Sequence, residues 1–300
     1  MAPLEGGCAA AYLTAVDHPP IAVDVHESEP YSWTMAHRAA HGRLVDHVVG
    51  YSGYVERSVL PLRRREVAND SVVVIISFGE PIDVQLSTEL VADRYTSFVA
   101  GLHDGSVFTE HGGRQAGVEI RLSPLGAFRL LGVPSSELAH RVVEIDALGS
   151  RPLAELADRL ASAPDWPARF DLLDAELLRR AAEGPEADPA VRWAWRQLVS
   201  AHGNISVSVL AEEIGWSRRH FVARFRHHVG LAPKPAGRVL RFNRAVQLLI
   251  ADGAASVSDV AAACGYADHS HLVRDFHDLA GCTPTALVGA QLPDGGGIAG

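Results

Sequence analysis

Two segments in the C-terminal third are copies of one pattern. SVSVLAEEIGWSRRHFVARFRHHVGLAP (206–233) aligns with SVSDVAAACGYADHSHLVRDFHDLAGCTP (256–284). Ser206 falls on Ser256, and Val207, Leu210, Ala211 and Ile214 fall on Val257, Val260, Ala261 and Cys264. Each apolar set recurs at i, i+3, i+4, i+7, which is one face of a helix. Gly215 and Gly265 follow, where a helix stop calls for positive φ. Phe221 and Phe225 then align with Leu272 and Phe276, at an offset of 51 residues instead of 50 because the second turn is one residue longer. Gly230 and Pro233 match Gly281 and Pro284 at the far end. A short helix, a glycine turn and a second amphipathic helix make a helix-turn-helix, predicted over 206–230 and again over 256–281.

The order of the two helices carries chemistry. The first braces the second, whose outer face is left free to enter a DNA major groove about 12 Å wide. At about 100° per residue, Val222, Ala223 and Arg226 fall within about 60° of Arg219, with Phe221 and Phe225 on the far side. In the repeat, Ser270, Val273, Arg274 and His277 occupy the same arc, opposite Leu272 and Phe276. Arginine bonds guanine O6 and N7 in bidentate fashion, and valine or alanine packs on a thymine methyl. These eight residues are the expected base-facing set. Ser217 and Asp268 stand at N-cap positions, where free N–H groups can hold a phosphate. Ser217, Arg218, Arg224, Arg241 and His269 are the expected phosphate contacts.

Between the repeats, KPAGRVLRFNRAVQLLIADG is predicted to form one helix, with Pro235 in its first turn and Gly253 at its stop. Val239, Phe242, Val246 and Leu249 make its apolar stripe, and Arg238, Arg241 and Arg244 lie largely elsewhere. A rod of roughly 24 Å can hold two recognition helices about one DNA turn apart. Charge agrees with this placement. The chain is acidic, at −9, yet residues 204–290 carry 9 Lys/Arg against 7 Asp/Glu, while residues 1–203 carry 18 against 28.

The tail resembles the DNA-binding domain of the AraC/XylS family of bacterial transcription regulators. The likeness rests on LAEEIGWSRRHFVARFRHHVGLAPK, RVLRFNRAVQLL and VSDVAAACGYADHSHLVRDFHDLAGCTPTAL, including the G-Y-x-D-x-S-H run of the second unit. The chain departs from the family where a basic residue is common two positions after the first hydrophobic of recognition helix one. Ala223 stands there, and the arginine, Arg224, lies about 100° further round. The resemblance implies a regulator of promoter DNA acting with RNA polymerase. The front half is similar, more loosely, to the sensor region of a subgroup of these proteins, through GYSGYVE, VVVIISFGEPI, FVAGLHDG and IRLSPLGAFRLLGVP. Such regions are small, β-rich, often cupin-like domains that bind a small-molecule effector or form a homodimer.

The expected fold class is therefore an α+β N-terminal domain, followed by an all-α domain with two helix-turn-helix motifs joined by a linker helix. Residues 1–34 show no sustained periodicity and are expected to be a loose leader, with Met35 as a second candidate start. Residues 35–182 form the sensor or dimerisation domain. Short β runs extend to Leu122, and a helical pattern runs from Ala127 to Ala182. EGPEADP (183–189) is the linker, 190–291 the DNA-binding domain, and 292–300 a flexible tail. Trp193 and Trp195, two apart, cannot share a helical face. One is expected to meet the DNA-binding domain and the other the sensor.

Other chemistries lack their constellations. His37 and His41, one turn apart on an expected helix with His47 nearby, copy H-E-x-x-H without its glutamate. They are expected to be exposed helix histidines, and His103 in GLHDG stands alone, so no metal site is expected. GYSGY (50–54) is not G-x-S-x-G, no phosphate-binding loop exists, and the single lysine, Lys234, precedes a proline. No enzyme activity and no cofactor are expected. The three cysteines show no pair spacing. The Arg63-Arg-Arg65 run is expected to be a solvated strand edge that discourages sheet pairing. No segment is long enough to cross a bilayer, and the cytoplasm is the expected location. The competing reading is a small-molecule-binding or protein-interaction module whose helical tail docks a protein partner.

Overall fold

The computed structural model describes residues 20–86, 91–149, 151–251, 256–290 and 298–299. Ten strands come first: β1 (Ala22–Ser28), β2 (Tyr31–Arg38), β3 (Val48–Ser58), β4 (Leu62–Glu66), β5 (Val72–Ser77), β6 (Ile82–Leu86), β7 (Asp93–Tyr95), β8 (Phe98–Ala100), β9 (Val107–His111) and β10 (Arg114–Leu122). Helices α1 (Pro124–Leu131) and α2 (Ser135–Leu138) lead to strand β11 (Val142–Glu144), then to α3 (Arg151–Ser162) and α4 (Trp166–Glu183). The C-terminal part holds α5 (Pro189–Ser200), α6 (Val207–Ile214), α7 (Arg218–Val229), α8 (Pro233–Ala251), α9 (Val257–Ala263), α10 (His269–Ala280) and α11 (Pro284–Gly289). A last two-residue strand, β12 (Ile298–Ala299), follows. The protein is thus α+β at its N-terminal end and all-α through its helix-turn-helix region.

Two antiparallel sheets face each other. The larger has the order β1-β2-β3-β10-β5-β8-β11, and the smaller β12-β4-β9-β6-β7. Alternation along β3 sets what each face meets. Tyr51 and Gly53 point outward to α4, where the Tyr51 hydroxyl donates to Asp174 at 2.9 Å and a Cβ at Gly53 would lie 2.3 Å from the Trp166 ring. Asp174 also receives Arg38 Nη2 at 2.5 Å and the His41 amide at 3.0 Å, so this buried carboxylate has its charge matched and its lone pairs filled. Glu56 points inward, to Arg64 at 3.0 Å and His111 at 3.3 Å on the opposite sheet.

The space between the sheets is divided. Ile75, Ile82, Val84, Phe98 and Val107 form a small apolar cluster at one end. Tyr54, Glu56, Arg64, His111, Gln115 and Glu119 make the other end polar, and burial raises the Tyr54 and Glu119 pKa values. The main core lies on the outer face of the larger sheet. It runs without a break from Val74 and Ile120, through Phe170 on α4 and Trp195 on α5, to Phe225 and Phe276. The 183–189 segment therefore joins two parts that share one core.

Several expectations need correction. Ordered structure begins well before residue 35, because Ala22–Ser28 and Tyr31–Arg38 pair as a hairpin and Met35 sits inside β2. Residues 1–19, Cys8 among them, lie outside the described residues. The helical stretch 127–182 is interrupted by β11, which pairs with β8. His37 is on a strand, its Nδ1 3.1 Å from Ser52 Oγ, and His41 caps a short 3-10 turn, so these two histidines share no helix. Among the described residues, no group of three or more His, Cys, Asp or Glu could hold a metal ion. The arginine run is no open edge: β4 lies between β9 and β12, and Arg64 turns inward. Ile298 and Ala299, placed in the expected flexible tail, pair with Arg65 and Arg64, and Ile298 is buried. Helix α8 starts at Pro233, with Pro235 in its first turn as expected, while Gly253 lies outside the described residues.

Candidate nucleic-acid interface

Local chemistry places each helix of the repeat. The Ser206 hydroxyl accepts from the Ser208 amide at 3.2 Å and starts α6, which Gly215 ends with φ 75°. The Ser217 hydroxyl then accepts from the His220 amide at 3.3 Å and starts α7. In the second unit, Ser256 caps α9 by accepting from the Asp259 amide at 3.1 Å, and Gly265 turns the chain with φ 73°. Asp268 caps α10 by accepting from the His271 amide at 2.7 Å. These side chains satisfy helix-end N–H groups that otherwise lack partners. A non-glycine residue at either turn would strain the backbone.

Helix α7 is used on three sides. One side builds the domain: Phe221, Phe225 and Val229 are fully buried, Phe221 and Phe225 stack edge to face at 5.6 Å, and Phe225 meets Trp195 at 6.2 Å. A second side carries Arg219, Ala223 and Arg226, all exposed, and half-buried Val222. The third side, about 140° from Arg219, meets the N-terminal half. There His227 and His228 pack against Phe128 of α1, with centroids 5.6 and 4.5 Å apart, and Gly230 lies against Ser135 of α2. His228 is buried beside His227 and Arg224, and desolvation with those charges pushes its pKa down to about 4.

Helix α10 repeats the first two sides. Leu272, Phe276 and Leu279 are buried, and Phe276 meets Phe242 of α8 at 4.8 Å. Ser270, Arg274 and His277 are exposed and Val273 is half-buried. Arg238 of α8 donates to buried Asp275 at 2.7 Å and also to Asp278, which fixes α10 against the linker helix. The end of α10 is tied to the N-terminal half through its main-chain carbonyls. The Ala68 amide donates to Leu279 O at 3.0 Å, and Arg65 Nη1 to Gly281 O at 3.2 Å. The Asn243 amide, oriented to satisfy both its ends, donates to Ala68 O at 2.9 Å and accepts from Asp70 N at 3.0 Å.

Of the expected phosphate contacts, Ser217, Arg218 and His269 are exposed at or near helix starts. The other two are engaged within the protein. Arg224 bonds Asp188 at 3.2 Å, since its place on the third side of α7 turns it toward the segment before α5. Arg241 bonds Asn204 at 3.3 Å and lies over the Tyr266 ring at 5.0 Å. The packing of α1 and α2 on α7 had no counterpart in the sequence reading. Trp195 is buried between Phe225 and the groove containing Leu125 and Arg129, and Trp193 is half-buried in the same core.

Residues 210–289 match the family described as a helix-turn-helix domain. The transcriptional activator RhaR of Pectobacterium atrosepticum is 28% identical over 134 residues, 45% of this chain and 42% of that protein. The chain thus spans less than half the length of the curated relatives it matches. An AraC-type regulator structure from Chromobacterium violaceum is 26% identical, covering 32% of this chain and 87% of that one, with a TM-score of 0.30. ToxT of Vibrio cholerae O395 is 9% identical, covering 86% of this chain and 96% of its own, with a TM-score of 0.44. No helix among the described residues is long and apolar enough to cross a membrane. The repeated motif, the twice-built bihelical unit and the family match together make residues 210–289 a helix-turn-helix domain, similar to those of the regulators named above.

Proposed function

We propose that the protein is a sequence-specific DNA-binding transcription regulator whose helices α7 and α10 enter successive major-groove segments of promoter DNA. One observation carries this reading. On both helices the arc opposite the core is left uncovered by the described residues, and none of its eight residues is buried. Arg219, Arg226, Ser270, Arg274 and His277 supply hydrogen bonds to base edges, and Val222, Ala223 and Val273 supply apolar contact to thymine methyls. Ser217, Arg218 and His269 hold phosphates at the helix starts. Arg224 and Arg241 act mainly by positioning.

The N-terminal half is the control element and acts on how promoter-bound protein engages RNA polymerase. Its contact with both recognition helices supports this, since a change in the sandwich is felt at α7 through α1 and at α10 through the 65–70 segment. A small-molecule effector is the proposed input. The polar end of the sandwich favours it, because Trp33 Nε1 and Gln115 Oε1 are buried there without a partner.

The test is selection of bound sites from random double-stranded DNA by the full chain. Two short conserved boxes about one helical turn apart are expected. Affinity should fall steeply with salt, with a log–log slope near about −5 for about six phosphate contacts. Recovery of unrelated sequences with a flat salt response would overturn the proposal and favour a protein-docking role for the tail.

A further inference from the structure

We infer that the groove where α1 and α4 meet α5 is a binding site for an amphipathic carboxylate, an acid with one anionic head and an apolar body. The groove lies outside the sandwich, since among the described residues no strand residue lines it. It is therefore distinct from the effector site placed at the polar end of the sheets, and it does not depend on the DNA-binding reading.

Three helices make its walls. On α5, Arg192, Trp195, Arg196 and Val199 recur at i, i+3, i+4, i+7 and present one face to the groove. Leu178 and Ala182 line it from α4, and Leu125 and Arg129 from α1. The cavity volume is about 730 Å³, within the range of sites for small organic ligands, and such sites favour junctions between halves of a chain.

Charge selects the head group. Arg43, Arg129, Arg192 and Arg196 line the groove against two carboxylates, Asp46 and Glu186. His47 adds no charge at neutral pH, because burial and then Arg129 lower its pKa. Arg192 and Arg196 stand one turn apart on the same face, and like charges so placed repel. Arg196 is exposed and makes no ion pair among the described residues. Glu186, from the segment between α4 and α5, already shows what the cluster accepts. Its carboxylate pairs with Arg129 and reaches Arg192 at 3.9 Å, yet its side chain is 69% exposed. A ligand carboxylate takes its place beside Arg192, engages Arg196 as well and relieves the repulsion between them. The apolar body then covers Leu125, Leu178 and Trp195. Trp195 in turn meets Phe225 of α7 at 6.2 Å, and Asp188, two residues after Glu186, holds Arg224 at 3.2 Å. Occupancy of the groove therefore acts directly on α7.

Isothermal titration of the full chain with octanoate, without DNA, tests this. A dissociation constant below about 1 mM is expected for a ligand of this size. The uncharged 1-octanol should bind about tenfold or more weakly, and Arg196→Gln should weaken octanoate by about the same factor. Glu186→Gln removes the competing carboxylate and should tighten octanoate severalfold. Ala182→Phe fills the groove and should abolish binding. All three replaced side chains are exposed, so parent-like melting of each variant shows that folding is not the cause. No octanoate binding up to about 10 mM would overturn the inference. So would 1-octanol bound as tightly as octanoate, or binding indifferent to Arg196→Gln and Ala182→Phe. Each of these failures leaves the DNA-binding reading standing.

Discussion

The imidazole of His228 on α7 stands edge-on to the Phe128 ring on α1, with centroids 4.5 Å apart and neither ring nitrogen bonded. This buried histidine sits where the N-terminal half meets the first recognition helix. Its pKa is lowered to about 4 from 6.5, first by desolvation and then by His227 and Arg224. The folded protein therefore keeps the ring neutral while the unfolded chain takes up a proton. Stability from this site is complete above about pH 6.5, is lost as pH falls toward about 4, and levels off below. Burial lowers the pKa of His47 and His103 in the same sense. Thermal melts of His228→Phe should show a shallower loss of stability across that window than the parent. Equal slopes would mean that His228 is not the group that titrates.

Arg219 and Arg224 lie five residues apart on one helix and should respond differently to replacement. Arg219 is exposed on the open arc, so Arg219→Ala is expected to cost about 1–3 kcal/mol at one base position and to relax preference there. Arg224 is held by Asp188. Arg224→Ala is expected to leave base preference unchanged and shift the thermal midpoint slightly, since a half-exposed ion pair contributes about 0–1 kcal/mol. Binding to a panel of single-base site variants separates the two. Uniform weakening by Arg219→Ala would assign that residue to the phosphate backbone instead.

The helix-turn-helix units were legible because their signals are local. A serine cap, an i, i+3, i+4, i+7 stripe and a glycine stop lie within one short window, and the pattern occurs twice. The N-terminal hairpin was not legible for the opposite reason. AVDVHES and YSWTMAHR mix polar and apolar residues on both faces, because β1 is an edge whose valines stay exposed. Arg64 misled in a related way. A charged residue within a strand suggests solvent, and only the fold brings Glu56 across the sandwich to neutralise it. The helical angle places Arg224 off the expected base-facing arc, but Asp188, its partner, lies 36 residues earlier. Contacts between distant segments leave little trace in periodicity.

Arg238 and Asp275 fix the tilt of the second recognition helix. Asp275 is 3% exposed, so Arg238→Ala leaves a buried carboxylate without its cation. Loss of about 3 kcal/mol is expected, with weaker binding confined to the half-site that α10 contacts. Asp275→Asn in the Arg238→Ala background removes the stranded charge and should recover part of that stability. A double-mutant cycle on melting measures the coupling, and footprinting of the two half-sites reads the positioning. Equal weakening at both half-sites would show that the pair supports the domain as a whole.

Ile298 closes the edge of the smaller sheet beside the attachment of α10. It pairs with Arg65, whose guanidinium also holds Gly281 O at 3.2 Å and lies over the Phe108 ring at 5.0 Å. Strand β4 thus links the tail, the sandwich and the second helix-turn-helix unit. Ile298→Asp forces a carboxylate into an apolar site that is 4% exposed, and expulsion of β12 is the less costly response. The β4 main chain then becomes an open edge. Hydrogen exchange should rise within Leu62–Glu66 and at the Ala68 amide, which is bonded to Leu279 O, while the α6–α7 unit keeps its protection. Loss of the buried side chain and its strand should lower stability by about 2–5 kcal/mol. Unchanged exchange along β4 would show that β12 contributes no hold on that edge.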